Sequence, residues 1–209
     1  MARARSPVED VIRTRVEEHP DVVWLKFRDE TYAWAEVLSN IQRAANGLLD
    51  LGVRPGERVA ILMGNRPEFI WVHLGIVFIG ALSVPVNTSQ RGATLEHILT
   101  DSDSVVVVFE DELRGAVLAV KDSLPSLRAS VVADGKTGNG VDWTIDRLLD
   151  HPDAEPEVEV GDLGWRRGDD VHVAAALPRQ CLARLHDRLD GPRREVRTRG
   201  EVQRVALLR

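Results

Sequence analysis

A chain of 209 residues, 44% hydrophobic and 29% charged, has the make-up of a globular domain with a sizeable core. Its single cysteine, Cys181, excludes an intramolecular disulfide and suits a reducing, cytoplasmic setting; no run of about 18 apolar residues offers a transmembrane segment, and Val8-Glu9-Asp10 after the basic start excludes a signal peptide. The net charge of −6 is uneven, because residues 164–209 hold eleven arginines, no lysine and only six acids.

Val8, Val11, Ile12 and Val16 fall near helical spacing and predict an amphipathic helix over 8–18, broken by His19-Pro20. Residues 22–27 are β-rich, Arg28-Asp29-Glu30 is a turn, and Thr31-Tyr32 starts the return strand. Trp34, Val37, Leu38, Ile41, Ala44, Ala45 and Leu48 form an apolar stripe that predicts a helix over 34–50, with Gly52 as its stop. Residues 58–63 (RVAILM) are almost wholly apolar, as a strand covered on both faces of a parallel sheet must be.

The unit then recurs. Asn65 is the expected cap of a helix that opens at Pro67 and ends before Gly80. Residues 82–86 are extended, 92–99 helical with Thr94 as the expected cap, 105–109 a buried strand, 111–121 a helix, and 130–133 a strand. A short last helix is expected from Trp143 to Leu149. Residues 150–162 (DHPDAEPEVEVGD) read as an acidic surface connector. Strands and helices alternating at these lengths imply an α/β fold of right-handed βαβ units around a parallel sheet.

Chemistry-bearing motifs are scarce. Gly135-Lys136-Thr137-Gly138-Asn139-Gly140 contains the Gly-Lys-Thr of a phosphate loop, but the leading glycine of that motif falls on Ser130, so a surface turn is expected. His19, His73, His97, His151, His172 and His186 show no metal-ligand spacing, and His73 and His97 are expected to be ordinary helix residues. Cys181 lies between His172 and His186 in sequence without a motif that would make it a nucleophile. No catalytic, cofactor-binding or metal residue is assigned.

One long stretch is nevertheless specific: YAWAEVLSNIQRAANGLLDLGVRPGERVAILMGNRPEFIWVHLGIVFIGALSVPVN, residues 32–87. Its Arg43-Ala44-Ala45-Asn46, Gly52-Val53 with Pro55-Gly56, Asn65 with Glu68-Phe69, Gly80-Ala81 and Val84-Pro85-Val86-Asn87 stand in an order and spacing that resemble AMP-forming acyl-CoA synthetases, of the adenylate-forming ligase superfamily. The resemblance covers residues 31–163. It implies a partial parallel-sheet N-terminal subdomain of that fold. It also implies a reaction in which a carboxylic or fatty acid, ATP and coenzyme A give acyl-CoA, AMP and pyrophosphate, with Mg²⁺ beside the phosphates. One departure is Ala33, where relatives carry a capping Thr or Ser.

The family's phosphate-gripping loop, roughly YTSGTTGxPKG, is due near Gly164 and is not found. Two domains are therefore expected: 1–163, the N-terminal part of the AMP-binding domain, and 164–209, an Arg-rich tail. Trp165 to Val173 can be encoded so that reading one base later yields GAVVTMYTS, similar to the approach to that loop, though a second slip is needed to continue. The expectation is a chain truncated or frameshifted after about Gly164 and catalytically incompetent. The tail is expected to be poorly ordered, apart from an amphipathic helix over 180–189. The alternative is a non-catalytic acyl- or protein-binding module that self-associates through apolar surface around Trp71, Val72 and Ile76. The basic tail is read as a solvated run, with no nucleic acid expected.

Overall fold

A computed structural model describes residues 6–158, together with the backbone of two strands near the C-terminus. The chain divides into two units, Met1–Asp169 and Asp170–Arg209. In the second, Glu195–Thr198 pairs antiparallel with Glu201–Arg204. Those two strands fall within the tail expected to be poorly ordered. Cys181, His172, His186 and the helix expected over 180–189 lie outside the described residues.

The first unit opens with α1, Pro7–Glu18. Pro67-like starts suit prolines because the first helical N–H needs no partner, and here Pro7 takes that place while the Ser6 hydroxyl accepts from Glu9 N at 3.2 Å. Of the expected stripe Ile12 is buried, but Val8 and Val11 are 48% and 59% exposed, and Glu9 shares the buried face. The helix turns this face inward because the Arg13 guanidinium bridges Glu9 (3.2 Å) and Glu155 (2.5 Å) against the ring of Phe78. The paired charges make burial of Glu9 tolerable.

A two-stranded hairpin follows, β1 (Val23–Phe27) and β2 (Glu30–Ala33), turning at Arg28 with a left-handed φ of 53°. The register shifts at Trp24, whose ring rests on Trp34 at 4.9 Å. The long helix α2, Trp34–Asp50, matches its predicted bounds. Ala33 has no oxygen to cap it, but the Glu36 carboxylate accepts from Ala33 N at 2.8 Å and supplies half of a capping box.

The remaining elements are β3 (Arg58–Leu62), α3 (Pro67–Phe78), β4 (Leu82–Pro85), α4 (Gly92–Asp101), β5 (Ser104–Phe109), a 3₁₀ turn Asp111–Leu113 leading into α5 (Arg114–Lys121), β6 (Ala129–Val132), β7 (Trp143–Thr144) and α6 (Ile145–Leu149). Three expectations change. The cap position of α3 is Arg66, not Asn65, and makes no side-chain cap bond. α4 starts two residues before Thr94, with Arg91 at its cap position. Trp143 belongs to a strand, because Trp143 and Thr144 pair with Val131 and Val132 before Thr144 caps α6.

The five strands form one parallel sheet in the order β4-β3-β5-β6-β7. Alternate residues serve opposite layers. Val59, Ile61, Val106, Val108 and Val131 pack with α2, α3 and α6; Ala60, Leu62, Val107, Phe109 and Val132 pack with α4 and α5. Full burial of each of these Val, Ile, Leu and Phe side chains contributes about 1.5–3 kcal/mol. Trp71, Val72 and Ile76 belong to the first of these cores, at 3%, 0% and 0% exposure. They are not the exposed patch the sequence suggested, because α2 covers them. Among the described residues the large exposed apolar side chains are Val8, Val11, Val22, Val23 and Trp24.

At the β4 edge, Leu82 N and Val86 N donate inward to Glu57 O and Ile61 O. Ser83 and Pro85 therefore face outward, and Pro85 has no N–H to offer a further strand. The connector after α6 lies on the surface over its described part, as expected, but is tied to α2. Asn46 Nδ2 donates to Pro152 O (2.7 Å) and Ala154 O (3.0 Å), and Ser39 Oγ to Asp153 (2.8 Å), strapping it to α2.

Candidate functional site

Open parallel sheets bind ligands beyond the carboxyl ends of their strands, where the strand order reverses. Here β4 lies on one side of β3 and β5 on the other, so the reversal falls beyond Leu62 and Phe109. The residues delivered there are Gly64, Asn65 and Arg66 after β3, Glu110 after β5, and Asp134 after β6.

Arg66 is the centre. Its Nε and Nη2 donate to the two Glu68 oxygens at 2.9 and 3.2 Å, a bidentate pair. Its Nη1 lies 3.3 Å from Asp134 and 3.8 Å from Glu110. Backbone donors fix the carboxylates: Gly64 N donates to Glu110 at 3.1 Å and Asp111 N to Asp134 at 2.7 Å. The Glu68 hydrogen bond pushes the Arg66 pKa up. Burial alone would raise that of Glu68; the Arg66 hydrogen bond, its own backbone N–H and the guanidinium charge overcome it and leave it lowered.

The glycine turn is built in the opposite sense to a phosphate cradle. Gly138, Asn139 and Gly140 have φ of 102°, 48° and 85°. Its carbonyls face cations: Arg114 donates to Lys136 O (2.6 Å) and Gly138 O (3.0 Å), and Lys121 to Gly140 O (2.6 Å). A phosphate site needs N–H groups converging instead. Lys121 also meets Asp142 (3.0 Å) and buried Ser130 (3.2 Å). Burial would raise the Asp142 pKa, but hydrogen bonds from Ser130 and Lys121 hold it low.

The histidines stay apart. His73 is half-buried on α3, with Nδ1 2.9 Å from Ser83 Oγ and its ring stacked on Phe69; burial lowers its pKa. His97 is exposed. His151 Nε2 is 3.6 Å from Asp50. Among the described residues no group of three or more His, Cys, Asp or Glu is placed to hold a metal ion.

The AMP-binding enzyme profile matches residues 12–186. The chain belongs to the AMP-binding enzyme family. The match begins in α1 and runs past Gly164. Rat "Long-chain fatty acid transport protein 2" is 33% identical over 78% of this chain and 27% of its own length. "Long-chain-fatty-acid--CoA ligase FadD13" of Mycobacterium tuberculosis is 34% identical over 77% and 29%. The solved anthranilate CoA ligase AuaEII, in complex with anthranoyl-AMP, superposes with a TM-score of 0.65 at 25% identity over 69% of this chain and 28% of that one. The chain thus spans less than a third of the length of these relatives. The α/β fold of this AMP-binding family member is that of adenylate-forming ligases, as its sequence implied.

The residues at the strand ends do not fit a nucleotide's phosphates or a Mg²⁺ ion. The Arg66 donors are taken by carboxylates, and three carboxylates repel a phosphate while already sharing one guanidinium. No helix of the described residues is long and apolar enough to cross a membrane. The sequence reading named none of Glu110, Asp134 or Arg66 as a site. The available signal was positional: each stands one to four residues beyond an apolar strand.

Proposed function

We propose that this chain is the N-terminal scaffold of an acyl-CoA synthetase, which joins a carboxylic or fatty acid to coenzyme A through an acyl-adenylate, and that the 209-residue polypeptide alone does not complete this reaction. The observation that supports the second half is the Arg66 cluster: the crevice where such a sheet would take its ligand is filled by the protein's own ion pairs. The sequence adds that no loop of the YTSGTTGxPKG kind occurs in it. ATP, Mg²⁺ and coenzyme A are assigned to residues outside this chain. The fatty acid class follows from the names of the rat and mycobacterial relatives, and a cytoplasmic setting from the lone cysteine.

The boundary is placed at 163/164, with the Arg-rich tail attributed to a frame change after about Gly164. Its support is the compositional change there and the GAVVTMYTS reading. Sequencing the locus beyond codon 163 decides this part. Pyrophosphate release by the purified chain, with ATP, Mg²⁺, coenzyme A and a panel of fatty acids, tests the inactivity; sustained turnover would overturn it.

A second reading, a non-catalytic module that binds a protein or a second copy, is favoured by the exposure of Val22, Val23 and Trp24 on the hairpin. Size-exclusion chromatography separates the two: a monomer at all concentrations speaks against self-association, and a dimer broken by Trp24→Glu speaks for it.

A further inference from the structure

The chain contains two Asn-Gly pairs, Asn46-Gly47 and Asn139-Gly140. An asparagine before glycine is prone to one spontaneous reaction, because glycine offers no side chain to block ring closure. The two pairs stand in opposite surroundings. Asn46-Gly47 lies inside α2, where the Gly47 N–H is tied into the helix ladder and Gly47 is buried against the Leu148 backbone. The Asn46 amide is also fixed, with Nδ2 donating to Pro152 O and Ala154 O. Asn139-Gly140 is exposed, at the tip of the turn closed by Gly138 and Val141. The Gly140 N–H takes no part in that turn's backbone pairs. Asn139 itself is held at φ 48°, a left-handed conformation that most side chains avoid.

We propose that Asn139 is a site of spontaneous deamidation and isomerisation, and that the fold protects Asn46. The Gly140 nitrogen attacks Asn139 Cγ, forming an N–C bond and losing its proton. The Cγ–Nδ2 bond breaks and ammonia leaves. The resulting five-membered succinimide is opened by water at either carbonyl, giving aspartate or isoaspartate at position 139. No oxidant or further reactant is needed. Two cations hold the turn's backbone on either side of Asn139, Arg114 on Gly138 O at 3.0 Å and Lys121 on Gly140 O at 2.6 Å. The isoaspartate product adds a backbone carbon inside the Gly138–Val141 turn, whose two bonds are both 3.2 Å, and opens it.

The test is peptide mapping by mass spectrometry after timed incubation of the full chain at mildly alkaline pH, with isoaspartate counted by enzymatic methyl transfer. Asn139 is expected to convert about tenfold faster than Asn46 in the native protein, because Gly47 reacts only through opening of its helix. In strong urea the two rates are expected to converge. Asn139→Gln, which closes a ring less readily, is expected to remove the isoaspartate signal from the peptide that spans position 139, apart from any formed at Asp134-Gly135 and Asp190-Gly191. Equal native rates at the two sites, or isoaspartate persisting at position 139 of Asn139→Gln, would overturn the proposal.

Discussion

Gly75 on α3 faces Ala44 on α2 so closely that a Cβ on Gly75 would lie 3.0 Å from the Ala44 Cβ and 3.0 Å from Ala45 N. The two helices meet backbone to backbone there. Gly75→Ala gains about 1 kcal/mol of helix propensity but overpacks by about 1–3 kcal/mol, for a net loss of about 1 kcal/mol. Gly115→Ala on α5, where nothing lies within 4 Å, is the control and is expected to stabilise by about 0.5–1 kcal/mol. Urea midpoints of both variants check the pair.

Glu68 ties stability to acid. Its folded carboxyl is held below the ordinary glutamate value, so in acid the unfolded chain binds more protons than the folded one. Its contribution is complete above the ordinary value and is lost as pH falls through the lowered folded one. Stability of Glu68→Gln should therefore be lower than wild type near neutrality and converge toward it in acid, read from urea titrations across that range.

His73 acts in a higher window with the same sign. Burial depresses its pKa, so protonation is easier after unfolding. The native protein should lose stability as pH falls from the ordinary histidine value to the depressed one, then level off. His73→Gln should flatten that slope, as followed by thermal melts at a series of pH values.

Tyr32 offers an optical readout, being the only tyrosine. Its hydroxyl donates to Glu30 at 2.6 Å, and chiefly through this bond its pKa is pushed up to about 12. Ultraviolet titration of native chain should show tyrosinate forming near that value, and Glu30→Gln should move the transition downward. An unshifted midpoint in the variant would show that Glu30 is not the cause.

What was legible in the sequence was what neighbours in sequence decide. α2 could be bounded to the residue because its stripe runs through Trp34, Ile41 and Leu48 with no competing signal. β7 could not, because two residues become a strand only by pairing with Val131 and Val132. The inner face of α1 was misread because Glu9 and Arg13 look like surface residues until Glu155 and Phe78 are brought to them. The same holds for the strand-end cluster. Arg66 and Glu68 read locally as the start of a helix; only the sheet order brings Glu110 and Asp134 to them. The phosphate-loop likeness of residues 135–140 was weighed by spacing alone, which could not reveal carbonyls turned to Arg114 and Lys121.

Pro85 has a bearing on how this polypeptide behaves when crowded. Fibrils grow by passing the amides of one molecule's rim to the next molecule in an unbroken row. At the outer margin of the sheet the imide at position 85 interrupts that row after the single amide of Ser83. This margin is a poor seed, and clumping of the chain would have to begin elsewhere.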